Sequence, residues 1–241
     1  MAVAKVSIPS VMDIYDVKEM FSRYYVDPEI AQQNVSSKWK VKVHDNGKAV
    51  LLVMVQIIKK MVLDYVLNVG SVGMSHVWIE LEGPSEMVPP LPGTNRSLPT
   101  WYWYIMPHQT DNRWASALIS SAGVSTQDVK EVSLGEPSET RSGQVVEKGS
   151  FERGYNWKET AKLYAEPDVV TGSHRFYRKY GHRDSAAHTI CYTHFLGEGK
   201  VELTASSASV VGKLGFGTSL SGFSNPVWVK HCRVKYKIGY F

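Results

Sequence analysis

Cysteine is scarce in this sequence: Cys191 and Cys232 are the only two in 241 residues. Two thiols cannot staple a chain of this length, which excludes a disulfide-built scaffold. Both read as reduced thiols in strands, with a single bridge as the alternative, and reduced thiols favour a reducing compartment. No apolar run follows a basic stretch in MAVAKVSIPS, so no secretory leader is expected. The most apolar stretch, Ala49 to Leu67, holds Gln56, Lys59, Lys60 and Asp64. Each charge at mid-bilayer depth costs roughly 2.5–3.5 kcal/mol on insertion scales, which excludes a simple membrane span. Internal repeats and heptads are absent. Gly215, Gly217 and Gly222 in LGFGTSLSG lack the dinucleotide spacing, and no phosphate-loop lysine follows them. The net charge is only +4, well short of a dedicated nucleic-acid arm.

What is present is a globular composition, with 43% hydrophobic and 21% charged residues, which argues against global disorder. The length suits one β-rich domain over 1–241 without staples. In residues 10–26, apolar side chains at Val11, Ile14, Tyr15, Val17, Met20, Phe21 and Tyr24 follow a helical period. With Asp27-Pro28 as a stop, this predicts an N-terminal helix within a lead-in segment, 1–37. KWKVKV (38–43) alternates as a strand with a lysine face, and Asp45-Asn46-Gly47 predicts a tight turn. Residues 49–69 stay open between two strands broken near Lys59-Lys60, which their β-branched content favours, and one helix with Gln56, Lys60, Asp64 and Asn68 on its wet stripe. SHVWIELEG and TWYWYIMP read as strands around a Pro-rich loop. Residues 111–122 read as a short helix capped by Asp111 or Asn112, and 133–150 as an exposed loop. Further strands are expected at 157–164, 174–180, 187–196, 200–206 and 227–238.

Catalytic signatures are weak. His182, His188 and His194 recur every six residues, but six residues of strand span roughly 20 Å, too far to share one metal. Cys191 lies near His188 and His194, yet position i+3 on a strand faces away, so no nucleophile–base pair follows. His76, Glu80 and Glu82 share a strand face and read as solvated.

The stronger signal is basic and aromatic. HRFYRKYGHR carries Arg175, Arg178, Lys179 and Arg183 with Phe176, Tyr177 and Tyr180 between them. VWVKHCRVKYKIGYF lines up His231, Arg233, Lys235 and Lys237 on one face, and Lys38, Lys40 and Lys42 form a third row. Such rows attract phosphates, and aromatic neighbours can stack on bases. They equally suit a solvated strand face or an edge guarded by lysines.

The order of these features resembles viral jelly-roll proteins. DVKEMFSRYYV precedes a glycine-led strand, GMSHVWIELEG. A Pro-rich loop, the aromatic strand TWYWYIMP and the basic VWVKHCRVKYKIGYF follow. This order is similar to capsid subunits of small icosahedral RNA viruses. Residues 70–115 also resemble the thirty-kilodalton superfamily of plant-virus movement proteins, with Glu82 near the place of that superfamily's aspartate. The resemblance implies an all-β, jelly-roll-like sandwich with two or three short helices; α+β is the alternative should 49–69 be helical. It implies a self-assembling virion protein, not an enzyme, that contacts RNA through its basic rows. The location expected is the virion or host cytoplasm, with no cofactor and no evident small-molecule substrate. The alternatives are a movement-type protein that coats single-stranded nucleic acid, and an enzyme with dispersed catalytic residues. A deep pocket with perturbed carboxylates or histidines would mark the last.

Overall fold

A computed structural model describes residues 11–83, 87–88, 98–121, 125–147, 154–180 and 183–239. Over 87–88, 98–100, 166–180, 183–195 and 234–239 it describes backbone alone.

The described residues begin with a long strand, β1 (Val11–Val26), and a helical turn and a half, α1 (Pro28–Gln33). β2 (Ala49–Leu63) and β3 (Leu67–Glu80) follow as a hairpin, then β4 (Met87–Val88), β5 (Leu98–Ile105) and β6 (His108–Thr110). After α2 (Arg113–Ser121) come β7 (Thr126–Leu134) and β8 (Thr140–Glu147). Two very long strands, β9 (Gly154–Tyr180) and β10 (Arg183–Ala205), precede α3 (Val210–Lys213) and β11 (Ser219–Gly239). Neighbours run β10-β11-β1-β2-β3-β6-β7-β8-β9, and β9 pairs back onto β10 to close the ring. This closed barrel replaces the expected jelly-roll sandwich. The β9–β10 hairpin, continuous from Tyr155↔Ala205 to Tyr180↔Arg183 apart from one irregularity, removes the open edges that a sandwich would keep.

A second circuit shares most of these strands. β3 pairs with β5 at Trp78↔Ile105, and β5 runs parallel to the far half of β9. The middle of the β2–β3 pair is therefore covered on both faces. Leu51, Val53 and Val55 join Met20, Tyr24, Val77, Tyr155 and Leu203 in one core. Leu52, Met54 and Ile58 join Val17, Trp78, Trp103, Ile105 and Ile119 in the other. Burial on two sides explains why β2 reads as an almost unbroken apolar run.

Several expectations are corrected here. Residues 10–26 form β1, not a helix. Asp16 adopts φ 52°, and the inward phase switches there, from Met12 and Ile14 to Val17. A strand that changes phase midway mimics the helical period. The neighbouring strands switch at the same level: Ile58 then Met61 in β2, and Val229 then Cys232 in β11. Asp16 joins them through Lys59 Nζ (3.0 Å) and Trp228 Nε1 (2.8 Å). The break foreseen near Lys59-Lys60 is thus an irregularity inside one strand. Residues 38–43 are not a strand, and only Val41 bridges to Leu81. Residues 133–150 hold the end of β7 and all of β8, whose Arg141, Val145 and Glu147 turn inward. Gly143 is required there, because a Cβ would meet Ser133 O at 2.2 Å and the Trp157 ring at 2.4 Å. Cys232 is disulfide-bonded rather than a reduced thiol, and the backbone register sets position 191 opposite it.

Other expectations hold. The turn at Gly47 has φ 73°, and the remaining strands fall inside β9, β10 and β11. Among the described residues no helix is long and apolar enough to cross a membrane. Asn112 caps α2, its Oδ1 accepting from Trp114 N (3.0 Å) and Ala115 N (3.1 Å). Asn112→Ala should lower stability by about 1 kcal/mol, and Leu51→Ala, in the fully buried barrel core, by about 2–5 kcal/mol. Urea unfolding checks both, and equal losses would contradict this account of the core.

Candidate active site

Polar residues on a strand covered on both faces cannot reach water, so they must bond each other or something brought to them. On the β1–β2–β3 ladder, Glu19, Gln56 and His76 lie side by side on the face that holds Trp78 and Trp103. Gln56 Nε2 donates to Glu19 Oε2 at 2.5 Å, and Gln56 Oε1 meets His76 Nε2 at 3.0 Å. The His76 ring meets His108 edge-on, with centroids 4.2 Å apart, and Trp78 at 5.4 Å. Burial pushes the Glu19 carboxyl up to about 7, although Gln56 and the Arg141 guanidinium pull the other way. Burial alone pushes His76 down to about 3, so its imidazole is neutral.

A second relay lies on the opposite face of β3. Ser75 and the Tyr155 hydroxyl are hydrogen-bonded, and Tyr155 O–H donates to Gln109 Oε1 at 2.6 Å. Gln109 Nε2 donates to Glu147 Oε1 at 2.8 Å, which also accepts from Val210 N at 2.9 Å. Burial raises the Tyr155 pKa, which keeps that phenol protonated. Arg141 and Glu159 form a buried ion pair, and Arg141 Nη2 donates to the backbone oxygen of Glu19 at 2.9 Å. Among the described residues, no lysine is buried and no group of three or more His, Cys, Asp or Glu side chains could hold a metal.

The basic residues singled out from the sequence, where their side chains are described, lie elsewhere. Lys42 pairs with Glu80 at 2.8 Å, and Lys40 with Glu82 at 2.9 Å. Arg233 and His231 both bond Asp13, at 2.8 and 2.7 Å. Burial opposes ionisation of Asp13, but those hydrogen bonds outweigh it and hold the carboxyl below its ordinary range. Lys38 stands in a turn. The side chains of Arg175, Arg178, Lys179, Arg183, Lys235 and Lys237, and of His174, His188, His194 and Cys191, lie outside the described residues, as does all of His182. The reading of His76, Glu80 and Glu82 as a solvated face holds for the exposed Glu82 and is corrected for the other two. His76 and Glu80 are 4% and 6% exposed. The signal that could have marked the site was there: Gln56 interrupts a doubly buried apolar run, and Ser75-His76 interrupts the next.

Two stability predictions follow from burial. Removing one member of a buried ion pair strands the other, so Arg141→Leu should cost about 3–5 kcal/mol, and Arg141→Leu with Glu159→Leu should cost less. A double variant weaker than the single one in urea would contradict this. Glu19 titrates near 7 in the fold, against 4.5 ordinarily. The folded chain keeps a proton there that the unfolded chain has lost. The stability tied to neutral Glu19 is therefore full below its unfolded value and lost as pH rises through the folded one. Glu19→Gln should raise the unfolding midpoint at about pH 8 and leave it nearly unchanged at about pH 4. Equal effects at both pH values in thermal scans would sink the assignment.

No family model and no curated protein sequence matches the chain. Solved structures do. An acetoacetate decarboxylase from Legionella pneumophila superposes with a TM-score of 0.62 at 8% identity, covering 99% of this chain and 92% of that one. The enduracididine biosynthesis enzyme MppR, complexed with the condensation product of pyruvate and imidazole 4-carboxaldehyde, gives 0.58 at 12%, covering 98% and 92%. An acetoacetate decarboxylase-like enzyme from Sphingomonas wittichii RW1 gives 0.59 at 10%, covering 99% and 95%. These likenesses overturn the viral resemblance. TWYWYIMP does not form a jelly-roll strand but splits its side chains between two barrel cores, Tyr102 in one and Trp103 and Ile105 in the other. The capsid, virion and movement-protein expectations fall with it, as does the expectation of a chain without catalytic function. The chain has the fold of acetoacetate decarboxylase-like enzymes.

Proposed function

We propose that this chain is an enzyme that moves protons to and from the carbon beside the carbonyl of a small molecule, with Glu19 as the acid–base group. The observation that carries this reading is one side chain. Glu19 is wholly buried, titrates near neutrality and is held by Gln56, which is held in turn by His76. A general base works best when its pKa lies near the working pH, and burial is a common means of raising a carboxyl to that range. Of the alternatives the sequence left open, this is the enzyme with dispersed catalytic residues: Glu19, Gln56 and His76 come from three strands. The structural neighbours lend support, since their names mention acetoacetate and pyruvate, both small carbonyl compounds.

The step balances simply. The Glu19 carboxylate takes a proton from the α-carbon, the C–H bond breaks and its electron pair forms the enolate. The carboxyl then returns a proton to the same carbon. Arg141, bonded to the Glu19 backbone, lends positive potential to the Glu19 carboxylate. Gln56 fixes the carboxyl, and Trp78 and Trp103 exclude water around it. Lysine can activate carbonyls as an imine, but no described lysine is buried, so the reading rests on carboxyl chemistry.

The test is exchange of α-hydrogens for deuterium in pyruvate, acetoacetate and hydroxyacetone, followed by proton NMR in D2O. At least one should exchange faster with the protein than without it. The rate should rise with pH through about 7, as the carboxylate forms. Glu19→Gln should slow it by about 10²–10⁴-fold and flatten the pH profile. Exchange that survives Glu19→Gln unchanged would rule out this role.

A further inference from the structure

The hydrogen bonds around His76 dictate what a ligand must offer. Glu19 and His76 bind opposite ends of one amide. Glu19 has only acceptors to give when ionised, so Gln56 turns its NH2 towards Glu19 and its oxygen towards His76. That oxygen can only accept, so with Glu19 ionised the neutral His76 ring carries its proton on Nε2. Nδ1 is left as a bare lone pair. It is buried and has no hydrogen-bond partner among the described residues. A buried acceptor without a donor is costly, and in a site built for a ligand the ligand provides the donor.

The surroundings narrow the ligand further. Met54 stands directly across from His76, and Met74 across from Gln56. Unbranched thioethers can repack around a small guest. Trp78 and His108 give the His76 ring flat, mostly apolar neighbours. Among the described residues the buried cation, Arg141, is held by Glu159 and the Glu19 backbone oxygen, and although its Nη1 has no hydrogen-bond partner it does not act on His76, which burial alone perturbs. No unpaired positive charge faces His76 among the described residues, and Glu19 contributes negative charge as it ionises. A second carboxylate brought to this place would meet repulsion rather than a counter-ion.

We infer that the site takes a small uncharged carbonyl compound bearing a hydroxyl or N–H group, and that this group donates to His76 Nδ1. The inference rests on the proposed acid–base reading for its location, and it departs from the keto acids in the neighbours' names. His76 becomes a specificity-determining residue. A site with a buried acceptor rejects analogues that lack the donor, because they leave the acceptor unpaired.

Hydroxyacetone, acetone and pyruvate separate the possibilities by titration at about pH 8, where Glu19 is ionised. Binding is read from the ¹⁵N shifts of histidine-labelled protein, which do not depend on turnover. Hydroxyacetone should bind about tenfold more tightly than acetone, the size of one neutral hydrogen bond, and more tightly than pyruvate. It should also move the His76 Nδ1 resonance upfield, as accepting a hydrogen bond does. In His76→Phe, with folding verified by its thermal midpoint, the preference for hydroxyacetone over acetone should vanish. Equal affinity for acetone, tightest binding of pyruvate, or an unmoved Nδ1 resonance would each overturn the inference. If binding shows the hydroxyl preference while exchange is indifferent to Glu19→Gln, the inference stands and the acid–base reading falls. If exchange needs Glu19 but no hydroxyl preference exists, the inference falls and the reading stands.

Discussion

The middle of the β2–β3 pair, Leu51–Gln56 against Met74–Ile79, has no solvated face. One side fills the barrel with Leu51, Val53 and Val55, and the other meets Trp78, Trp103 and α2 through Leu52, Met54 and Ile58. Everything at the candidate site depends on this double coverage. A polar residue on such a ladder cannot be hydrated, so each must find an internal partner. Glu19, Gln56 and His76 do so on one face, and Ser75, Tyr155, Gln109 and Glu147 on the other. Both relays place a glutamine between a carboxylate and a second polar group. An amide joins such groups because it donates at one end and accepts at the other.

Closure by β9 and β10 makes the double coverage possible. Their long hairpin feeds one ring through β8 and a second through β5. The aligned irregularities at Asp16, near Lys59-Lys60 and near Lys230 let three adjacent strands change phase together, so that apolar side chains keep facing inward past the bend. Asp16 ties that line together with one cation and one indole. The same coverage sets the electrostatics. A carboxyl and an imidazole shielded from water shift in opposite directions, Glu19 upward and His76 downward, and both tend towards neutrality at the same pH.

Several elements were legible because their signals are local. Asn112 caps α2 through its own side chain, Gly47 turns through its own φ, and β3 and β5 announce themselves by aromatic and β-branched content. The errors share one cause, which is that the deciding neighbour lies far along the chain. The phase switch at Asp16 gave β1 a helical period. The polar alternation of β8 looked like a loop until Glu159 and Trp157 were set beside it. Likewise the carboxylate that holds Arg233, Asp13, stands far away in sequence.

By itself the sequence determined a β-rich chain, its principal turns, its cap and the apolar content of its strands, since propensity and alternation act over a few residues. Tertiary structure decided that the sheet closes, that the middle of β2 and β3 is buried twice, and that Glu19, Gln56 and His76 form one row. Register causes that difference. Cross-strand pairing brings Glu19 beside Gln56 and places His76 one step further along the next strand. No local pattern encodes which residue will stand opposite which. The sequence supplied the groups, and their pairing inside a closed barrel turned a glutamate, a glutamine and a histidine into one buried, hydrogen-bonded row.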